Sequence, residues 1–258
     1  MVPSHRASAP PRPCSLSGED GILEEFLLAT LGGIGYKVTA GGAPADPATQ
    51  SKSTVRYLAL GDSYTIGTGA SGRAHNYPSI LAARITTATG SKVSLTNPAV
   101  NGFTTLDLIA NELRYLGQVK PELVSILIGV NDLVQGRTPE QYQSSLVQIY
   151  DTVAALGLPA GRVVAISIPN WSIVPAARTF GDPTRIRRLT DRFNAIAQQE
   201  AQAREFTWID ITAISTSALG SPGWISSDAL HPGDTQYAAW ADVIWNVVGE
   251  PWTRQPPR

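Results

Sequence analysis

From residue 55 onward, the sequence alternates between short strand-like runs and longer segments with helical spacing. The strand-like runs are apolar or alternating, and they cover residues 55–60, 92–96, 123–128, 162–168 and 206–211. The segments with helical spacing cover residues 78–89, 104–116, 139–156, 183–203 and 234–248. Strands that alternate with helices of about 10–20 residues predict a parallel sheet with helices on both faces. The sequence therefore predicts an α/β fold with a flavodoxin-like, five-stranded parallel sheet.

The first 54 residues differ in composition from the rest and are predicted to be an extension and linker, largely disordered. Their beginning is rich in proline and serine and lacks a hydrophobic period. Such a segment buries too little apolar surface to offset the entropy lost on ordering. The folded domain is therefore expected over residues 55–250, followed by a short tail at 251–258.

An apolar segment at residues 22–38 raises the question of a membrane span or a leader. It is too short to cross a bilayer, and Glu24 and Glu25 interrupt it. A secretory signal begins with basic residues, whereas this segment follows an acidic flank. We therefore expect no stable membrane insertion, and a cytoplasmic location is favoured over export through an atypical signal.

Charge and composition exclude several partner classes. The formal net charge is -1, and no basic stripe suggests binding to nucleic acid. The chain has three histidines and one cysteine, Cys14, and it contains neither C-x-x-C nor H-E-x-x-H. A zinc site is therefore not expected, and a single cysteine forms no internal disulfide.

The loop after the first strand carries two signatures that point to different chemistries. Gly67, Gly69 and Gly72 spell the dinucleotide-binding pattern G-x-G-x-x-G, and Ser63 lies in a Gly-Asp-Ser turn just before them. The dinucleotide pattern needs its first glycine directly after the strand and an acidic residue about 20 positions later. Residues 63–106 contain no aspartate or glutamate. We therefore interpret the glycines as a flexible turn and keep a nucleotide-binding protein only as a distant alternative.

A serine nucleophile needs a base, an acid that orients the base, and donors for an oxyanion. His231 follows the fifth predicted strand, and Asp228 precedes it by three residues. These two are the predicted base and acid, with Asp210 and Asp234 as rival acids. In parallel sheets such residues meet at the carboxyl ends of the strands.

Two other loops offer oxyanion donors at the same edge of the sheet. Gly102 follows the second strand and can present its backbone N–H without an obstructing side chain. Asn131 follows the third strand and offers a side-chain amide. Each residue alone is common in turns, but together with Ser63 and His231 they predict one site.

These segments together resemble the conserved blocks of the SGNH, or GDSL, hydrolases over roughly residues 55–248. The matching blocks are Gly61-Asp62-Ser63, Gly102, Gly129-Val130-Asn131-Asp132 and Asp228-x-x-His231. The resemblance implies a three-layer α/β/α fold and a serine esterase or lipase that needs no cofactor. The fourth residue of the first block is Tyr64, where the family motif has leucine. A catalytically inert binding module on this scaffold remains an alternative, although it would not need all four blocks.

The resemblance also implies a role for each residue of the site. Ser63 would be the nucleophile and an N–H donor, and Gly102 and Asn131 would complete the oxyanion hole. His231 would be the base, and Asp228 would orient it. The α/β-hydrolases are a rival class of serine esterases, but their G-x-S-x-G elbow would need a glycine where this chain has Thr65.

The substrate is expected to be a small soluble ester with a short acyl chain. Tyr64, Phe103 and Trp171 fall in or near the loops at the strand ends and are predicted to line the substrate pocket. The connection at residues 169–183 is expected to form a rim over it. Acetylated sugars, lysophospholipids and thioesters are alternative substrates, and the sequence assigns no oligomeric state.

Overall fold

A computed structural model describes residues 54–254, which contain a five-stranded sheet. The strands are β1 (Val55–Gly61), β2 (Val93–Thr96), β3 (Leu123–Leu127), β4 (Val163–Ile166) and β5 (Thr207–Ile209). All neighbouring strands are parallel, in the order β2-β1-β3-β4-β5. This order is the flavodoxin-like one, so the predicted fold class is confirmed. The predicted extension and most of the predicted tail lie outside the described residues.

The centre of the sheet is apolar because helices cover both of its faces. All five residues of β3 are buried, and so are the last five of β1. Such continuous burial is typical of parallel strands. In the register of these two strands, Gly61 pairs with Leu127, so both strands end at the same level. The residues that follow them therefore start from neighbouring points at one edge.

Nine α-helices lie within the described residues. They are α1 (Ser63–Ile66), α2 (Tyr77–Thr89), α3 (Thr105–Asn111), α4 (Arg114–Val119), α5 (Val130–Val134), α6 (Pro139–Ala154), α7 (Pro183–Gln202), α8 (Thr212–Thr216) and α9 (Asp234–Thr253). Helix α2 packs against α9, while α6 packs against α3 and α7. Right-handed crossovers place these two groups on opposite faces of the sheet. None of these helices combines the length and the apolarity needed to cross a bilayer.

Capping residues explain where several helices begin. Thr104 and Asp107 form a reciprocal capping box at α3, and Thr138 and Gln141 form another at α6. Pro139 occupies the first turn of α6, where its missing N–H costs nothing. The sequence predicts threonine caps for the segment at residues 104–116, and Thr104 does cap α3.

The structure departs from the predicted elements in three ways. The helix predicted over residues 104–116 is divided into α3 and α4, and Glu112, which lies between them, is wholly buried. The last helix continues five residues past its predicted end and contains Pro251. Helices α1, α5 and α8 follow strands almost directly and were not predicted, since four or five residues are too few to show a helical period.

Candidate active site

Ser63 occupies the first position of α1, immediately beyond β1. The Asp62 carboxylate caps this helix by accepting the Tyr64 N–H at 3.0 Å, and Gly67 ends it. The Ser63 side chain is nearly buried, with 6% of the residue exposed. Because the helix is only one turn long, its cap fixes the direction in which the serine is presented.

His231 and Asp228 form a direct side-chain pair in one tight turn. His231 Nδ1 lies 2.6 Å from Asp228 Oδ2. The other carboxylate oxygen, Oδ1, accepts bonds from Ser226 Oγ at 2.6 Å and from the N–H groups of Leu230 and His231 at 2.9 Å. The turn places Ala229 at a φ of 62°, a conformation that non-glycine residues rarely adopt. The pair is therefore held by the backbone and not only by its own contact.

The hydrogen bonds of this turn keep Asp228 ionised. Partial burial acts to raise the pKa of Asp228, but the bonds from the Ser226 hydroxyl and from the His231 and Leu230 N–H groups outweigh burial. The pKa of Asp228 is therefore lowered overall. An ionised carboxylate on Nδ1 leaves Nε2 of His231 as the ring nitrogen free to accept a proton.

The two rival acids have other partners. Asp210 accepts bonds from the Thr212 N–H and hydroxyl at the end of β5. Asp234 accepts two bonds from Ser71 and lies 3.2 Å from His75 Nδ1. Of the three candidate acids, only Asp228 contacts His231.

Three groups predicted to be oxyanion donors lie beyond the carboxyl ends of β1, β2 and β3. Within residues 54–254, the backbone N–H groups of Ser63 and Gly102 donate to no acceptor. Gly102 has a φ of +84° and no atom within 4 Å of where a side chain would begin, so the space beside its α-carbon is open. The Asn131 amide donates to the Phe103 carbonyl at 3.0 Å, which leaves its second N–H available.

Hydrogen bonds tie the loops of these donors to one another. The buried Asp132 carboxylate accepts the Thr105 N–H at 2.8 Å and the Thr105 hydroxyl at 2.5 Å. This joins the loop of Asn131 to the helix that follows Gly102. Asn97, at the end of β2, donates to the Thr65 carbonyl of α1 at 2.8 Å. The loop of Asn131 is therefore joined to α3, and the end of β2 is joined to α1.

The His231 turn packs against the segment that follows Ser63. The rings of Tyr64 and His231 meet edge to face, with centroids 5.9 Å apart. A side-chain carbon on Gly69 would lie 2.5 Å from the Pro232 carbonyl, so only glycine allows this approach. Within the described residues Ser63 and His231 form no hydrogen bond. Such contacts are often long without substrate and tighten when it binds.

The predicted substrate residues lie in different environments. Tyr64 is 3% exposed and packs between His231 and Trp240. Trp171 is also 3% exposed, and its indole N–H donates to Thr190 of α7. Trp171 therefore packs against α7, and almost none of its ring is exposed. Phe103 is half-buried beside Gly102.

An open cleft lies beside the nucleophile helix. It measures about 370 Å³ and is lined by Ile66, Gly67, Thr68, Val100 and Asn101. Ile66 and Val100 are both exposed apolar side chains. Sequence reasoning missed both residues, because single exposed aliphatic residues carry no pattern.

The connection over residues 169–183 contacts the histidine turn. It contains a short 3-10 helix, Pro175–Thr179, and the N–H of Ala176 donates to the Ala229 carbonyl at 3.0 Å. This contact supports the turn that carries Asp228 and His231. Within residues 54–254 no three His, Cys, Asp or Glu side chains are grouped so as to hold a metal ion.

A family model and several known proteins match this chain in sequence. The family model described as "GDSL-like Lipase/Acylhydrolase family" matches residues 59–239. "Esterase TesA" of Pseudomonas aeruginosa is 24% identical over 203 residues, which cover 78% of this chain and 90% of that protein. "Thioesterase 1/protease 1/lysophospholipase L1" of Escherichia coli is 27% identical, covering 68% of this chain and 74% of that protein.

A solved structure shares the fold. A catalytic mutant of Axe2, described as an acetylxylan esterase from Geobacillus stearothermophilus, matches with a TM-score of 0.62 and 19% identity. The match covers 80% of this chain and all of that one. At this identity the likeness concerns the fold alone.

Proposed function

The chain belongs to the GDSL-like lipase/acylhydrolase family, and we propose that it hydrolyses short-chain esters through a Ser63–His231–Asp228 acyl-enzyme mechanism. Its family and its esterase relatives make it a carboxylic ester hydrolase. The 2.6 Å contact between His231 Nδ1 and Asp228 Oδ2, in a turn packed against the nucleophile helix, carries the proposal. It supplies the oriented base that a serine hydroxyl needs.

In the first step, Ser63 Oγ attacks the ester carbonyl while His231 Nε2 takes the hydroxyl proton. The carbonyl oxygen becomes an oxyanion, which the N–H groups of Ser63 and Gly102 and the second amide N–H of Asn131 stabilise. Collapse of this intermediate breaks the bond to the alcohol oxygen, which leaves with the proton from His231. The acyl group remains bound to Ser63.

In the second step, water replaces the alcohol. His231 takes a proton from the water as its oxygen attacks the acyl carbon, and the same three donors hold the second oxyanion. Collapse returns the proton to Ser63 Oγ and releases the carboxylic acid. Asp228 stays ionised throughout and stabilises the imidazolium that forms twice in each cycle.

The cleft beside α1 supports a short acyl chain. Its volume of about 370 Å³ lies near the lower end for ligand pockets, and Ile66 and Val100 supply its apolar contacts. Asn101, which also lines it, directly precedes the proposed donor Gly102. An acyl chain attached to Ser63 would therefore extend between Ile66 and Val100.

A series of p-nitrophenyl esters from acetyl to palmitoyl tests both the class and the chain length. We expect the highest kcat/KM at the short end, and a loss of at least about 10³-fold in Ser63→Ala. Circular dichroism and thermal unfolding of Ser63→Ala serve as the folding control. Wild-type turnover by folded Ser63→Ala would exclude the proposed nucleophile.

A matched pair of variants tests the cleft in the same series. Val100→Trp fills the cleft and should reduce kcat/KM for butyryl more than for acetyl esters. Val247→Trp changes an equally exposed valine on α9 that does not line the cleft, so its profile should follow the wild type. Identical profiles for the two variants would place the acyl chain elsewhere.

A further inference from the structure

Two buried carboxyl groups lie behind the nucleophile turn and take no part in the mechanism above. Asp62 and Glu112 are each 0% exposed. Glu112 Oε2 accepts the Gly61 N–H at 2.9 Å, and Asp62 Oδ1 accepts the Tyr64 N–H at 3.0 Å. The two carboxyls thus hold the backbone on either side of Ser63.

Each of the two groups has one oxygen without a partner. Within the described residues, Asp62 Oδ2 and Glu112 Oε1 are buried and accept no hydrogen bond. An ionised carboxylate with an unpaired buried oxygen is strongly disfavoured, and two such charges near each other are more so. Neutral pH therefore leaves at least one proton on the pair.

We propose that Glu112 is a positioning residue for Ser63, and that Glu112 and Asp62 act together as a proton-holding pair beneath the nucleophile turn. The inference rests on Ser63 being the nucleophile. With at most one negative charge, the pair keeps both backbone bonds and the turn stays in place. Loss of the last proton puts two like charges behind the turn, which separate and displace Gly61 and Tyr64.

The pKa values agree with this geometry. Burial raises the pKa of Asp62 to about 8, against the opposing hydrogen bond from Tyr64. Burial likewise raises the pKa of Glu112 to about 8, and the nearby charge of Asp62 adds to the rise. Such interacting groups titrate as a pair, so the two values belong to the pair as a whole.

Other titratable groups also face the pair. Burial raises the pKa of the tyrosines that face it from α1, α2, α6 and α9, which are Tyr64, Tyr77, Tyr142 and Tyr237. Burial also raises the pKa of Asp132 of α5, while its bonds from Thr105 and the charge of Arg137 oppose the rise. A change above neutral pH is therefore assigned to Asp62 and Glu112 only if substitution of Glu112 removes it.

The test compares Glu112 with a glutamate that makes the same contact at the other end of the same strand. Glu122 Oε2 accepts the Arg56 N–H at 2.9 Å near the start of β1, and its side chain is 40% exposed. Substitution of Glu122 by alanine therefore removes a bond of the same kind far from Ser63. Glu112→Gln and Glu122→Gln form the matched pair, because glutamine keeps the acceptor oxygen and loses the titration.

The measurement is kcat and KM for p-nitrophenyl acetate from pH 6 to 10, corrected for spontaneous hydrolysis. We expect wild-type and Glu122→Gln kcat to fall above about pH 8, with KM changing less. Glu112→Gln should keep kcat within about threefold of wild type at pH 7 and lose the alkaline fall. In this variant only Asp62 can ionise, so residues 62 and 112 together carry at most one negative charge at any pH.

Three results would overturn the proposal. They are a wild-type kcat that stays level to pH 10, an unchanged alkaline fall in Glu112→Gln, and an equal fall in kcat for Glu112→Ala and Glu122→Ala. Glu112→Ala should lower kcat at least tenfold at pH 7, whereas Glu122→Ala should not. If Glu112→Ala does not fold, the dependence of kcat on pH in wild type and in Glu112→Gln still tests the proposal. Failure here with inactive Ser63→Ala would leave the proposed function standing.

Discussion

Asp228 and Asp62 are carboxylates in the two loops that build the site, yet their surroundings move their pKa in opposite directions. Partial burial acts to raise the pKa of Asp228, but its hydrogen bonds lower it overall. Asp62 is wholly buried, and burial raises its pKa to about 8 despite one backbone bond. Burial and the number of donors together, and not closeness to Ser63, therefore set the direction in which each pKa is shifted.

The difference separates two kinds of work. An ionised acid is required where a positive imidazolium must be stabilised, and Asp228 meets that need in a turn that supplies donors to both oxygens. A neutral or singly charged pair is preferred where a backbone turn must be held inside an apolar core, as Asp62 and Glu112 do. Substitution of each acid in turn tests this difference.

Among the substitutions of single acids, the largest effect is expected from Asp228→Asn. The amide keeps the shape of the acid but loses the charge that holds His231 in its catalytic tautomer, so kcat should fall about 10²–10⁴-fold. The loss should be smaller than that of His231→Ala, which removes the base itself. Initial rates with p-nitrophenyl butyrate measure both variants.

The rival acids provide the controls for this variant. Asp210→Asn and Asp234→Asn leave the His231 contact intact and should stay within a few-fold of the wild-type kcat. A rate for Asp228→Asn equal to that of wild type would assign the orienting role to another acid. A large fall in kcat for Asp234→Asn would mean that the bonds between Asp234 and Ser71 are needed for activity.

An intermediate effect is expected on stability as the pH changes. Asp62 and Glu112 have raised pKa values when folded, so the native state holds protons that the unfolded chain releases. The contribution of these two groups to the free energy of unfolding should therefore be greatest below about pH 4, fall by up to about 1.4 kcal/mol per pH unit per group as the pH rises, and be lost above about pH 8. Urea unfolding at pH 5, 7 and 9 measures the free energy of unfolding.

Asp62→Asn isolates one half of the buried pair. Its free energy of unfolding should change less between pH 5 and 8 than that of wild type, because one of the two groups no longer titrates. Glu122→Gln, on an exposed glutamate, should keep the wild-type slope. Parallel slopes for Asp62→Asn and wild type would mean that Asp62 is ionised in both the folded and the unfolded states.

The smallest effect is expected from Ser226→Ala. It removes one of the bonds to Asp228 Oδ1 while the two backbone bonds remain. The activation free energy should therefore rise by about 1 kcal/mol or less. The pKa of Asp228 should rise toward its ordinary value, and kcat/KM at neutral pH should fall by about tenfold or less. A loss above about a hundredfold would give the Ser226 hydroxyl a part in the reaction itself.

The sheet was predictable because its strands are long enough to carry their own pattern. The pairing of His231 with Asp228 was also predicted, and the structure gives the reason why the rival acids are otherwise engaged. Glu112 could not be found this way, since one acid in a helical segment is typical of an exposed position. Its burial depends on Gly61, which lies 51 positions earlier and belongs to another element.

The packing of α9 on α2 has a consequence for how this enzyme is made. Ser63 lies just after the first strand of the sheet, whereas His231 lies just before its last helix. During synthesis the chain leaves the ribosome from its amino end, and domains complete their folding as units. If Ser63 is the nucleophile and His231 its base, as proposed, almost the whole domain must be synthesised before the two residues can meet. Hydrolysis should begin only when α9 has emerged and docked, which makes activity a measure of finished translation and folding together.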